Sequence, residues 1–369
     1  MTSTAEFSRR LSRAAHLLHA SGRNALIASP GADLRYLCGH DVHLTERITA
    51  LVVRSDGDPV LVTPTLERPG AENSGVADIG IDIVAWDEAQ DPYAVIAGLL
   101  GGNKVSVSDR MWAQHVFGLH EAGSVSADSA ANLMAQLRMS KSAEEIESLR
   151  AAAAAIDSVH VQLEQWLRVG RSEAAVAADI SRAIIDAGHA SVDFVIVGSG
   201  PNGASPHHDA SDRVIEAGDP VVVDIGGTMP DGYCSDSTRT YVVGGEPTSE
   251  FVAMYDVLRH AQQAATSSVR AGVSAESIDR AAREVITEAG YGEQFIHRTG
   301  HGIGLESHEP PYIVEGNTLQ LEIGMAFSVE PGIYLDGQYG ARIEDIVVAT
   351  EDGVDNLAVA PRELRVIGG

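Results

Sequence analysis

The sequence predicts an α+β protein in two parts, a small α/β domain over residues 1–138 and a larger α+β domain over residues 139–369. Three observations predict it. The first third alternates short apolar runs with stretches of helical spacing. A capping box at Ser142 then opens a new and longer helical pattern. Beyond it, helices come in pairs and strands in hairpins closed by Pro/Gly turns, the pattern of an antiparallel α+β layer. The 369 residues suit about two domains, and 44% hydrophobic with 21% charged residues suits globular packing.

The elements follow in order. Phe7, Leu11, Ala14, Ala15, Leu17 and Leu18 repeat at helical spacing. Ala25–Ala28 is a short apolar run that predicts a strand. Ile48–Val53 and Val60–Val62 flank Ser55-Asp56-Gly57-Asp58, and Asp-Gly there predicts a hairpin turn. Ile79–Val84 and Lys104–Val107 predict further strands, and Pro92–Leu100 and Met111–His120 predict helices. No motif with chemical content precedes residue 135. After the boundary, Ser142 and Glu145 cap a long helix whose apolar side runs from Ile146 to Leu167 and which is expected to end at Gly170. A second helix runs from Ser172 to about Ala187 with Gly188 as its stop. Two more fit residues 249–271 and 274–289, closed by Gly272 and Gly290.

Charge is unevenly placed. Residues 1–140 hold 11 basic and 16 acidic side chains, net −5; residues 141–369 hold 15 and 36, net −21. A surface this acidic repels nucleic acid and anionic lipid, so neither is an expected partner. No run of about 18 apolar residues is present to span a membrane. The N-terminus lacks the basic head and apolar run of a leader, and Cys38 and Cys234 form no disulfide framework, so a cytoplasmic protein with reduced thiols is expected.

The chemistry is concentrated in three stretches. Val221-Val222-Val223-Asp224 is a buried-type strand carrying one carboxylate; Pro230-Asp231-Gly232 turns, and the return strand carries Asp236. An ionised aspartate in an apolar strand is costly without a partner, unless the strand ends at the surface there. Phe327–Val329 leads to Glu330-Pro331-Gly332, where a Pro-Gly turn is expected, and Glu344 lies on the return. In the third stretch His297, His301 and His308 fall within twelve residues, with glycines placing His301 in a loop. A weaker element, Gly198-Ser199-Gly200-Pro201-Asn202-Gly203, leads to His207 and His208. Four carboxylates and one imidazole in one pocket would carry about four negative charges, which cannot all stay ionised unless something neutralises them. Two divalent cations would do so. Oxygen-rich ligation with a single histidine favours a hard ion such as Mn²⁺, with Co²⁺ or Zn²⁺ as alternatives. Two such ions would share a water and lower its pKa, which is hydrolytic chemistry.

Asp224, Asp236 in Ser-Asp-x-Thr-Arg-Thr, His301 in Gly-His-Gly-Ile-Gly, Glu330 in Glu-Pro-Gly-Ile-Tyr and Glu344 in Arg-Ile-Glu-Asp together resemble the pita-bread metallopeptidases. Within them the set is most similar to the Xaa-Pro group, aminopeptidase P and prolidase. The motifs span residues 198–346, and the N-terminal part is similar by size and position to the creatinase-like domain of that group. The resemblance implies that Asp236 and Glu344 bridge two metals, that Asp224 completes one, and that His301 and Glu330 complete the other. It implies Glu330 as general base and His308 as hydrogen-bond donor to the scissile carbonyl. His207 and His297 would line the site for the residue after the scissile bond. Tyr334 would assist the intermediate, and Arg342 and Thr238 would orient the ligands. The implied substrate is a small peptide with proline at its second position, and the implied assembly a homodimer.

One position departs from the pattern. Dipeptide-cleaving prolidases commonly carry an arginine four residues after the second histidine, to hold the substrate's carboxylate. Here that residue is Tyr312, which counts against strict dipeptide cleavage and leaves aminopeptidase P-like cleavage of longer peptides open, with Arg298 or Arg213 as candidate replacements. A metal-free creatinase-like amidinohydrolase and a non-catalytic binding module are the competing expectations for this fold; both predict a broken ligand set.

Overall fold

The computed structural model describes residues 2–123 and 125–368. The chain divides into two compact units, Met1–Arg138 and Met139–Gly369. In the first, α1 (Thr4–Ala20) starts at Ser3, whose hydroxyl accepts from the Glu6 amide. There follow β1 (Ala25–Ala28), α2 (Ala32–Cys38), β2 (Ala50–Arg54), β3 (Val60–Pro64), α3 (Arg68–Asn73), β4 (Asp82–Trp86) and α4 (Pro92–Ala97). The unit closes with β5 (Lys104–Val107), α5 (Ala113–Gly123), β6 (Ser126–Ser129) and α6 (Ala131–Arg138).

Its six strands form one mixed sheet in the order β4-β3-β2-β1-β5-β6. The Asp-Gly turn joins β2 to β3 as an antiparallel hairpin. The strand expected at Ile79–Val84 lies three residues later, because Gly75 and Gly80, both with positive φ, bracket a 3₁₀ turn at Val76–Ile79. Four short elements, α2, α3, β6 and α6, carry too few periodic residues to stand out in the sequence.

The second unit begins with α7 (Ala143–Gln162), where the Ser142–Glu145 capping box is formed in both directions. This helix ends at Gln162 in a 3₁₀ turn, short of Gly170. Leu163 and Leu167 are buried in the same core without being in the helix, so their spacing reported burial and not continuation. Then come α8 (Glu173–Asp186), β7 (Ser191–Ser199), β8 (Asp219–Thr228), β9 (Cys234–Val243), α9 (Ser249–Ser268) and α10 (Ala275–Glu288). The chain ends with β10 (Gly300–Gly302), β11 (Glu309–Ile313), β12 (Ala326–Val329), β13 (Gly332–Leu335), β14 (Tyr339–Arg342), β15 (Asp345–Ala349), β16 (Val354–Asn356) and β17 (Arg365–Ile367).

Two sheets carry the unit, β17-β9-β8-β7 and β11-β10-β12-β15-β16. Apolar residues of α7 and α8 pack on the first, and those of α9 and α10 on the second. The β8–β9 hairpin turns at 230–232 as expected.

Two expectations are corrected. Pro331-Gly332 does not reverse the chain: β12 pairs with β15, β13 with β14, and the turn lies at Asp336–Gln338. Proline has no N–H and interrupts the ladder, so it marks a break in a strand as readily as a turn. His301 is not in a loop but in the middle of β10. Its flanking glycines let three strands crowd together: a Cβ on Gly300 would lie 1.8 Å from the Ser328 carbonyl oxygen.

Candidate metal centre

Strand register places the acids. Asp224 on β8 pairs with Thr238 on β9, and Asp236 is two residues before Thr238, so all three side chains leave one face of the sheet. Both aspartates are buried, which rules out the surface strand end for Asp224. In the broken hairpin Val329 pairs with Asp345 and Gly332 with Arg342, which sets Glu330 opposite Glu344 at the break. The two hairpins are stitched together there: the Glu344 amide donates to the Thr238 carbonyl at 3.1 Å, and Thr238 Oγ1 donates to Glu344 Oε2 at 2.7 Å.

His301 is fixed by its own strand. Its amide donates to Ser328 Oγ at 3.0 Å, and Nδ1 donates to the Gly302 carbonyl at 3.1 Å. That leaves Nε2 facing the acids, 3.1 Å from Glu330 Oε1 and 3.7 Å from Asp236 Oδ2. Among the described residues, candidate ligand atoms fall within 4.8 Å of one another in three groups: Asp224, Asp236 and Glu344; His301, Glu330 and Glu344; and Asp236, His301 and His308. The first two groups together contain all five residues expected as ligands and share Glu344.

Electrostatics shows what this cluster lacks. Burial, then the nearby Glu344, Asp224 and Glu330 carboxylates, push Asp236 well above the usual carboxylate range. Burial, then Glu330 and Asp224, push Glu344 the same way. Glu330 goes down to about 2: burial opposes its charge, but the His301 hydrogen bond and the His301, His297 and Arg342 charges outweigh it. Asp224 Oδ1 is buried with no hydrogen-bond partner, while Arg342 holds Oδ2. A cluster of acids that cannot all ionise, an orphaned carboxylate oxygen and an inward-facing imidazole nitrogen form a donor set that fits divalent cations.

A second layer surrounds it. Arg342 is buried and donates to Tyr334 OH at 2.7 Å, Thr238 Oγ1 at 3.2 Å and the Pro206 carbonyl at 3.3 Å, besides Asp224. His297 Nδ1 donates to the Arg298 carbonyl, so its Nε2 accepts from Tyr334 OH at 2.9 Å. Burial lowers the His297 pKa and raises that of Tyr334 to about 12, so both are neutral near pH 7. The His308 ring lies 3.9 Å from that of His301, centroid to centroid, and burial and the His301 charge lower its pKa to about 4. His207 is exposed on the segment after β7, next to Pro206, whose carbonyl accepts from Arg342.

Comparison with known proteins gives the family. The profile of metallopeptidase family M24 matches residues 147–351, and that of the creatinase/prolidase N-terminal domain matches residues 10–184. The chain belongs to metallopeptidase family M24. A probable dipeptidase PepE of Mycobacterium tuberculosis is 50% identical over 363 residues, 98% of this chain and 96% of the relative. A Xaa-Pro dipeptidase of Lactobacillus helveticus is 37% identical over 356 residues, 93% of this chain and 94% of the relative. The crystal structure of dipeptidase PepE from Mycobacterium ulcerans superposes with a TM-score of 0.95 at 49% identity, covering all of both chains. The fold is accordingly a creatinase-like N-terminal domain followed by a pita-bread catalytic domain.

Several M24 residues of this site had no signal in the sequence. Ser328 joins the His301 amide to Glu330 Oε1, which it contacts at 3.0 Å. Asp345 beside Glu344 points the other way, into Arg239 and Gln262, both at 2.7 Å, and Arg362. Consecutive acids on a strand face opposite sides, and spacing alone does not say which side holds the site. Asp279 on α10 accepts from the Thr299 amide and hydroxyl and so fixes the approach to β10. Lys141 forms a buried ion pair with Glu309 at 2.8 Å, next to His308.

Proposed function

We propose that this M24 peptidase hydrolyses the bond before proline in small peptides, and that its preferred substrate is a Xaa-Pro dipeptide. The observation that carries the reading is the intact set of five candidate ligands, four of them buried and Glu330 partly so, where a creatinase-like enzyme or a binding module would be expected to have lost some. In this reading Asp224, Asp236, His301, Glu330 and Glu344 would hold two divalent ions, Mn²⁺ in the first instance. When bound, the ions supply Lewis acidity, lowering the pKa of a shared water and polarising the scissile carbonyl.

The protein's own groups do the rest. Water adds to the carbonyl carbon and its proton passes to Glu330, which returns it to the proline nitrogen as the C–N bond breaks. His308 donates a hydrogen bond to the oxygen that gains charge, and Tyr334, whose proton is engaged with His297 Nε2, holds His297 and Arg342 beside it. Arg342 and Thr238 hold Asp224 and Glu344 in place, and His207 and His297 line the space for proline. The bond before proline is a tertiary amide with no N–H, so a site that grips the free amine and the carbonyl suits it.

Substrate length turns on a cation for the free carboxylate. Arg213 is engaged with Asp219 at 2.6 Å and with Ser199. Arg298 instead lies over the Tyr312 ring, 4.5 Å from its centroid, with no ion pair among the described residues. Arg298 in stacked contact with Tyr312 therefore supports a dipeptide reading, with Tyr312 as the platform.

The test is product release from Ala-Pro and Ala-Pro-Ala, measured by mass spectrometry on metal-stripped protein and after adding Mn²⁺, Co²⁺ or Zn²⁺. Metal-dependent cleavage of Ala-Pro is expected. Arg298→Gln is expected to raise KM for Ala-Pro and not for its C-terminal amide. Cleavage of the tripeptide alone would make this an aminopeptidase P, and cleavage of neither with any metal would sink the Xaa-Pro reading.

A further inference from the structure

One buried acid outside the metal cluster has more hydrogen-bond donors than any ligand. Glu173 is the first residue of α8 and is completely buried. Its Oε1 accepts from the Ser199 amide at 2.7 Å, Ser199 Oγ at 2.6 Å and Asn202 Nδ2 at 3.1 Å. Its Oε2 accepts from Asn202 Nδ2 at 3.1 Å, His208 Nε2 at 2.8 Å, the Ser211 amide at 3.1 Å and Ser211 Oγ at 2.6 Å. A carboxylate has about four lone-pair sites, so nothing is left over for a further ligand. All four donor residues lie on one segment, 199–211.

The same segment is gripped from both ends. The first amides of α8 donate back to it, Glu173 N to the Arg213 carbonyl and Ala174 N to the Ser211 carbonyl. On its far side the Pro206 carbonyl accepts from Arg342, and Gly340 comes so close that an added Cβ would lie 2.1 Å from the Gly203 oxygen. Between the two anchors stands His207, flanked in the chain by His208, which Glu173 holds, and by Pro206, whose carbonyl Arg342 holds.

We infer that Glu173 is a positioning residue: it holds the 199–211 segment so that His207 faces the substrate residue after the scissile bond. The inference rests on the function proposed above, since it takes the role of His207 from that reading. Glu173 touches none of the five ligands, so its effect is on substrate fit and not on metal binding. Burial alone would raise its pKa; the Ser199, Ser211 and His208 donors bring it down to about 2, so it stays an acceptor throughout the working range.

The experiment uses the full-length Mn²⁺-loaded protein and its Glu173→Gln, His208→Ala, His207→Ala and Glu173→Gln/His207→Ala variants. Glutamine keeps the shape but turns one oxygen into a donor aimed at donors. Glu173→Gln is expected to raise KM for Ala-Pro roughly ten-fold, with little change in kcat and unaltered Mn²⁺ affinity by calorimetry. In the His207→Ala background it is expected to add nothing, because both changes act on one contact. A fall in kcat at constant KM, weakened Mn²⁺ binding, or the full effect persisting without His207 would overturn the proposal. If Glu173→Gln does not fold, His208→Ala removes a single donor and is read by the same criteria. Histidine NMR spectra supply a readout that needs no turnover: the His207 ring signals are expected to move in Glu173→Gln and His208→Ala. Unmoved His207 signals would overturn the proposal, whereas a wild-type protein that cleaves neither peptide overturns only the functional reading.

Discussion

Asp236 and Glu344 are held above the usual carboxylate range by burial and by the neighbouring carboxylates, so without a cation their protonated forms are favoured. A cation binding there must displace those protons. Mn²⁺ binding at pH 7 is therefore expected to release at least about one proton per chain. Calorimetry in two buffers of different ionisation heat measures this, and zero release would count against ligation by these two residues. His160 is a contrasting case away from the centre. It is buried between Tyr241 OH and the Ser237 carbonyl, and burial lowers its pKa to about 3. The unfolded chain binds a proton there from about pH 6.5 downward while the folded chain does not. Stability is thus complete above that value and declines toward pH 3, by up to about 1.4 kcal/mol per pH unit. His160→Gln should flatten that slope, as read from urea midpoints at pH 5 to 8.

At the scale of elements, the broken hairpin and β10 make the centre. Tyr334 on β13 bridges His297 and Arg342, so Tyr334→Phe leaves both short of a partner. Its expected cost is roughly 10- to 100-fold in kcat, with Mn²⁺ affinity retained. Gly300 allows β10 to touch β12, and Gly300→Ala is expected to cost more than about 3 kcal/mol in denaturant unfolding and to abolish metal binding. Much of this was legible in the sequence. The capping box at Ser142, the β8–β9 turn and the helix stops at Gly188 and Gly290 each rest on local backbone chemistry that a few residues report, whereas α9 ends at Ser268, where Val269 turns extended, and not at Gly272. The Pro331 break and the strand character of His301 were not legible, because they depend on which distant strand supplies the pairing. Glu173, Ser328 and Asp279 were invisible for the same reason: each gains its role only when a remote backbone amide reaches it.

At the scale of the whole molecule, charge is the distinctive property. The net −21 of residues 141–369 surrounds a site proposed to receive a positively charged amine. Ala-Pro-amide carries one positive charge, and its kcat/KM is expected to fall several-fold between low and roughly 0.5 M salt with kcat unchanged. Zwitterionic Ala-Pro should respond less. An equal response would show that the field of the second unit does not steer substrate. No described helix is long and apolar enough to cross a membrane.

Asp224, Asp236 and His301 stand within paired strands, and Glu330 and Glu344 sit where two paired segments meet. His207, His297 and Arg298, to which substrate fit is ascribed, stand on the connecting stretches instead, as does His308. Backbone pairing resists change, whereas connecting segments tolerate it. In the proposed reading, metal binding and substrate choice are thus written into separate parts of the chain. A lineage, or a designer, can retune which peptide is accepted by editing the connections while the hydrolytic machinery is inherited intact.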